Sequence, residues 1–251
     1  MVNIVSAIII ASMILQGIGG KAGIGGKGAI GGSAPTPSPA YSGHACNTAT
    51  NTVTTINCTV TTTNAGEFIA VFFNWQSTAT PTSVTDTNGT LTAAISTQPV
   101  LWDTGLIRSV AMFCEANAAI GSHQIAILLP STTLIAMGVE TFTGASTTAC
   151  VTDGGGSLDG TPVGTLVTTG TTYTCSSITT TQNNDVIFSG STVSVAPTPS
   201  AGVGYTVRNS VTADLIATED GPVGAPGTYS AAWVAGGSHP GSCMAMAIKH
   251  V

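Results

Sequence analysis

A chain of 251 residues with only 6% charged side chains and a net charge of −6 suits one large all-β domain or, with less core for each, two small ones. Its fixed cations, Lys21, Lys27, Arg108, Arg208 and Lys249, form no basic stripe that could track phosphates, which argues against nucleic-acid binding. An average soluble domain carries roughly 25% charge, so Thr, Ser, Asn and Gly must solvate this surface, as in an exported β protein.

Residues 1–16 open the chain with the uncharged run Val2–Leu15, VNIVSAIIIASMIL. A bilayer-spanning helix needs about 20 apolar residues, so the run is short for an anchor and fits the apolar region of an export signal. No Lys or Arg precedes it and no clean A-x-A site follows, so a retained apolar assembly segment is the competing reading. Either way contact with a membrane is expected to be transient, and the expected location is secreted, at a cell surface or on a virion.

Residues 17–43 form a linker. GIGGKA, GIGGKG and AIGGSA repeat a six-residue unit, followed by the Pro/Ser-rich SAPTPSPAYSG. Glycine loses the most entropy on ordering, so the unit reads first as a flexible connector. If Ile18, Ile24 and Ile30 stack as in a hexapeptide solenoid, three units bury too little alone and require neighbouring copies. These three isoleucines are therefore the candidate assembly positions of a homo-oligomer.

From His44 to Val251 the chain reads as a series of strands. Thr52–Thr63 is Thr/Val-rich and closes at Asn64-Ala65-Gly66. Glu67–Trp75 is nearly continuous apolar, as in a strand covered on both faces. Ser83–Thr85 runs into Asp86-Thr87-Asn88-Gly89, and Asn-Gly is a strong hairpin signal. Leu91–Ile95, Arg108–Ala116, His123–Leu129, Thr133–Phe142, Thr165–Thr168, Thr171–Ile178, Asp185–Thr192, Gly204–Asn209, Asp214–Ala217, Gly227–Ala232 and Ser242–His250 follow, with turn clusters between many of them. The spacing, with no useful 3.6-residue period, predicts an antiparallel β-sandwich.

The stretches GEFIAVFFNW, SVTDTNGT, RSVAMFCEANA, LIAMGVETFTGAS, NNDVIFSGS, GYTVRN, TEDGPVGAPGTYSAAW and CMAMAIKHV resemble a jelly-roll-type sandwich module of exported proteins from environmental bacteria and phages. The resemblance covers most of residues 62–251 and implies a jelly-roll-like sandwich and an exported location. It implies no activity, since such modules generally have none established.

Chemistry is sparse. No GxSxG elbow, HExxH or phosphate loop is present, and His44, His123, His239 and His250 are scattered. Ser122-His123 and Ser238-His239 would point to opposite faces of an extended strand. Glu67, Glu115 and Glu140 are candidate glycosidase carboxylates, which would have to converge roughly 5–10 Å apart beside stacking aromatics. Trp75, Trp102 and Trp233 are the candidate platform for a glycan ligand. No cofactor is expected. Calcium is the one metal entertained, at Asp86-x-Asn88-Gly89, at Asp153 with Asp159, or at the acidic pair Glu219/Asp220; Asx turns explain the same residues without metal. The Asn57-Cys58-Thr59 and Asn88-Gly89-Thr90 triplets match the glycosylation pattern, a frequent chance match in a Thr-rich chain.

Six cysteines without CxxC spacing suit disulfides in an oxidising compartment. The expected pairs are the local Cys46–Cys58 and Cys150–Cys175 and the long-range Cys114–Cys243. The function that fits is a non-enzymatic, exported structural or surface-display protein, self-assembling or tethered through residues 1–43. A carbohydrate-binding or adhesin head is the alternative, and a glycoside hydrolase a more distant one.

Overall fold

A computed structural model describes residues 38–95, 100–103, 108–152, 155–194, 198–211 and 216–251. The assembly positions Ile18, Ile24 and Ile30 lie outside the described residues, as do Asp153 and the side chains of Cys46 and Trp102. Unit boundaries fall at Met1–Ala34 and Pro35–Val251; everything below concerns the second unit.

The described chain is all-β. A first sheet takes β1 (Ala40–Thr62), β2 (Glu67–Trp75), β3 (Ser83–Asp86), β4 (Thr92–Ala93), β5 (Val100–Asp103), β6 (Arg108–Ala118) and β7 (Gly121–Thr143). A second takes β8 (Val163–Thr174), β10 (Asp185–Val193), β11 (Ser200–Ala201), β12 (Thr206–Val211), β13 (Ile216–Val223) and β15 (Ala232–Ile248), while β9 (Ile178–Thr180) pairs with β14 (Gly227–Tyr229). The sandwich expectation is met. The finer jelly-roll connectivity is not what the strand order gives, because each sheet collects consecutive strands from its own half of the chain.

Apolar content explains which strands lie at the centre. EFIAVFFNW and DVIFSGSTV are buried at every position, and they form β2 and β10. Phe68, Phe72, Val110, Met112 and Phe142 of the first sheet meet Val186, Phe188, Ile216, Met244, Met246 and Ile248 of the second in the inter-sheet layer. The outer faces are covered as well. β1 and β7 change register around Val53, opposite Thr133 and beside Pro130, a place where proline is tolerated. Beyond that break Ile56, Cys58, Val60, Ile125 and Ile127 cover Ile69, Val71 and Phe73. His123–Leu129 and Thr133–Phe142, expected as two strands, are thus one bent strand. Tyr173 and Trp233 similarly cover Ile187 and Ala245 on the second sheet.

The two halves repeat one plan, which the strand-by-strand reading of the sequence missed. The first sheet runs β1–β7–β2–β6–β4 and the second β8–β15–β10–β13–β12, so the order matches strand for strand. Registers match too: Ile69 sits opposite Glu115 and Ile187 opposite Gly221; Val60 opposite His123 and Ile178 opposite Tyr229; Phe68 opposite Phe142 and Val186 opposite Ile248. Even local hydrogen bonds recur. Gly121 N donates to Thr62 Oγ1 at 3.1 Å, and Gly227 N to Thr180 Oγ1 at 3.3 Å. The turn into each central strand uses a left-handed residue, Gly66 at φ +80° and Asn184 at φ +63°. The signal in the sequence is TTINC…TTTNAGE at 54–67 against TTYTC…TTTQNND at 171–185. Equivalent residues also meet across the sandwich, where Asn74 Nδ2 donates to Thr192 Oγ1 at 2.7 Å.

The disulfides correct the expected pairing. Cys114 joins Cys150 and Cys175 joins Cys243, with Cα atoms 6.1 and 5.4 Å apart, in place of Cys150–Cys175 and Cys114–Cys243. Cys114 projects into the inter-sheet layer, where the loop after β7 brings Cys150. Cys175 instead packs on the outer face of the second sheet beside Cys243. Sequence proximity misled because Cys150 and Cys175 fall on opposite sides of that sheet. Cys58 is also disulfide-bonded; its expected partner Cys46 has its side chain outside the described residues. Non-reducing peptide mapping should recover 114–150 and 175–243 links. Removing Cys175–Cys243 by serine substitution should cost about 2–5 kcal/mol of stability, read as a fall in the denaturation midpoint.

Candidate functional site

The residues that converge are Asp86, Glu115 and His123. Asp86 ends β3, Glu115 lies on β6 and His123 near the start of β7. The turn after Asp86 holds them together. Asn88 N donates to Asp86 Oδ1 at 3.3 Å, Asn88 Nδ2 to the Ser122 carbonyl at 2.9 Å, and Gln124 N to Thr87 Oγ1 at 3.0 Å. Gly89 approaches closely: a Cβ there would lie 1.9 Å from Glu115 Oε1 and would displace the carboxyl group. The Asn-Gly pair expected to make a hairpin therefore roofs a carboxyl group.

His123 Nε2 lies 2.8 Å from the Ala119 carbonyl. A carbonyl only accepts, so Nε2 carries the hydrogen and Nδ1 is left facing Asp86 Oδ2, with which it pairs. The His123 and Asp86 side chains are fully buried and Glu115 is 4% exposed. One donor atom from each of the three lies within 4.8 Å of the others. Burial, the hydrogen bond to Asp86 and its charge push the Glu115 carboxyl up to about 7, opposed by His123. For His123, burial pulls downward, but the bonds to Ala119 and Asp86 and the charges of both carboxylates win and raise it. The cluster can hold a proton, or another cation, between two carboxylates and an imidazole.

The other acids are committed elsewhere. Glu67 Oε1 accepts the backbone N–H groups of Thr63 and Asn64 at 2.9 and 2.8 Å, which caps the turn before β2. Asp159 does the same for Thr181 and Gln182 in the other half, at 2.6 and 2.9 Å. Beside it Asp185 is pushed up to about 7 by burial and by Asp159. Glu140 is buried on the inner face of β7 with Asp220 and Arg208 nearby, and burial drives it up to about 8. Glu67, Glu115 and Glu140 therefore do three separate jobs.

The calcium pair is corrected as well. Glu219 and Asp220 sit inside β13 instead of in a turn, so their side chains leave opposite faces of the sheet. Asp220 is bound by the Arg208 guanidinium, whose Nη2 donates to Oδ2 at 3.2 Å. Glu219 is buried on the other face and pushed up to about 9. No carboxylate pair converges there.

Nor do the described tryptophan side chains, Trp75 and Trp233, offer a platform. Trp75 is 1% and Trp233 0% exposed. Trp75 Nε1 donates to the Ala79 carbonyl at 2.8 Å and Trp233 Nε1 to Ser189 Oγ at 2.9 Å. A sugar needs an open ring face, and these rings are core anchors. Trp75 only forms the back of a cleft of about 230 Å³ lined also by Pro81, Ser83 and Phe113.

No family model, no curated protein and no solved structure matches the chain. Any functional reading must therefore come from its own residues. The sequence carries a partial signal for the His123 cluster: Asp86 stands in a turn motif and Glu115 among the candidate carboxylates, but Glu115 and His123 lie 29 and 37 positions from Asp86, and nothing local joins them.

Proposed function

We propose that the chain is a non-enzymatic, exported structural or surface-display protein whose sandwich is the displayed head. One observation carries this reading. Of the described Asp, Glu, Lys and Arg side chains, none is exposed. Eight carboxyl-bearing residues, Glu67, Asp86, Glu115, Glu140, Asp159, Asp185, Glu219 and Asp220, are turned inward or half-buried. The exterior is left to Thr, Ser, Asn and Gly, and such a surface lacks the charge repulsion that keeps monomers apart. Disulfides, compatible with an extracellular protein, support the same reading. The residues before β1 are the proposed tether or assembly segment; the linker expected over residues 17–43 ends earlier, because Ala40 to Gly43 already pair with β7.

Electron microscopy and sedimentation of the purified full-length chain test it. The expected result is ordered higher-order particles that are lost in a chain starting at Pro35, the first residue of the compact sandwich unit. A uniformly monomeric full-length protein that instead binds members of a glycan array would overturn it.

A further inference from the structure

The internal repeat supplies a control for every side chain, because each position in one half has a counterpart that solves the same folding problem. His123 corresponds to Tyr229, since they face the equivalent partners Val60 and Ile178. His123 Nε2 binds the Ala119 carbonyl; Tyr229 donates its hydroxyl to the Ala225 carbonyl at 2.6 Å. Ala119 and Ala225 are themselves equivalent, so the tie that holds this turn is made in both halves by different side chains. The tie accounts for Nε2 alone.

Nothing in the second half corresponds to what Nδ1 faces. Glu115 is matched by Gly221, which occupies the same register opposite the central strand. The position matching Asp86 falls in the turn after β11, at the fully exposed Val203. The fold is thus built once with three converging donors and once with none, which removes folding as their reason. Glu115 adds an independent sign. Only 4% of this cluster member is exposed, and its Oε2 has no hydrogen-bond partner. A buried carboxylate oxygen left without a partner is costly.

We propose that Asp86, Glu115 and His123 bind one divalent transition-metal ion of the zinc type. The donor set is chemically apt: one neutral imidazole nitrogen and two carboxylates balance a double positive charge, and imidazole with carboxylate suits zinc better than calcium, which takes six to eight oxygens. The outer contact is also of the kind that metal-bound histidines make, the second ring N–H donating to a backbone carbonyl, which fixes the tautomer and aims Nδ1. Bonds of about 2.0–2.2 Å place tetrahedral donors roughly 3.5 Å apart, within the present spread. On binding, the ion takes the place of protons shared among the three groups, which are released. Gly89 and the exposed turn around it form the thin cover through which the ion enters. This site is independent of the proposed structural role and gives the head a metal-stabilised core in one half only.

The test uses the full-length protein, stripped with chelator, dialysed against Zn²⁺ alone at pH 7.5 and passed over a desalting column before elemental analysis. One equivalent of zinc per chain is expected, with an upward shift in thermal midpoint that chelator reverses. His123→Tyr installs the residue the other half uses and keeps the tie to Ala119. Glu115→Gln preserves shape. Both should remain folded by circular dichroism and bind zinc at least about tenfold more weakly. Retention of no stoichiometric zinc by the wild type, which would leave a proton as the sole occupant, overturns the proposal. So does undiminished binding by both folded variants, which would place the metal elsewhere, as at Asp159, Asp185 and His250.

Discussion

Thermal stability of the chelator-stripped protein should peak near pH 4–5 and fall by at least about 10 °C on going to pH 9. The groups responsible are Glu115 and Asp185, both held up to about 7, Glu140 at about 8 and Glu219 at about 9. Burial is the first cause in each case. Between the unfolded value near 4 and these raised folded values, the folded chain keeps a proton that the unfolded chain has already lost. Raising pH through that window therefore favours unfolding. The stabilisation from the neutral carboxyls is complete below pH 4 and is lost upward. His123, raised by its bonds and by two carboxylates, works in the same direction: its contribution is present below 6.5 and fades as pH rises through the folded value.

Glu67 and Asp159 act oppositely. Against burial, turn N–H donors lower Glu67, and the bond with Asp185 followed by turn N–H donors lowers Asp159, so their contribution is present above their ordinary values and is lost as pH falls further. The two sets together give an acidic optimum. A tenfold change in a group's acidity on folding is worth about 1.4 kcal/mol, so ionising Glu140 alone removes on the order of 5 kcal/mol, and 1 kcal/mol moves the midpoint by about 2–4 °C in a chain this size. Differential scanning calorimetry from pH 4 to 9 is the measurement, with Glu140→Gln expected to flatten the slope. A midpoint that is constant or rises over this range would refute the burial of neutral carboxyls as the source.

The second large effect is expected at Gly190. A Cβ placed there would lie 2.1 Å from Cγ of the Phe72 ring, and Phe72 is fully buried in the inter-sheet layer. Neither sheet can retreat without opening the core around it. Gly190→Ala should therefore cost about 3 kcal/mol or more, at the upper end of overpacking, and Phe72→Ala about 3–5 kcal/mol through a cavity. Combined, they should cost clearly less than the sum, since the methyl group enters the space the ring vacates. Chemical denaturation of the two single variants and the double variant gives the coupling. Additive costs would show that ring and glycine do not share that space.

Strands were legible in the sequence because their signals are local. EFIAVFFNW announces a strand covered on both faces, and β2 is one. Trp75 and Trp233, the partners of Cys114 and Cys175, and the Glu219/Asp220 pair are not legible, for the opposite reason. Whether Trp75 offers a ring face, or which cysteine meets Cys114, depends on which face of which sheet each residue occupies, and residue type does not carry that. Glu219-Asp220-Gly221 has turn-like composition, but β10 and β12 pair with it on either side, so tertiary pairing overrides local preference. The His123 cluster joins three strands through sheet register. The repeat could have been found by comparing TTINC with TTYTC, though little else aligns by residue identity.

The Phe72–Gly190 contact also says what the halves can and cannot do with other chains. They are equivalent positions of the repeat, one carrying an aromatic ring and the other no side chain. Two first halves would set ring against ring, and two second halves would leave a void. Each half is thus keyed to its opposite number. Neither described disulfide bridges the two sheets, because Cys114–Cys150 stays with the first half and Cys175–Cys243 with the second. The chain joins the two halves between Thr143 and Val163. Two molecules opening there have one well-packed way to recombine, first half with the other's second half, a reciprocal exchange that would link heads without creating any new interface.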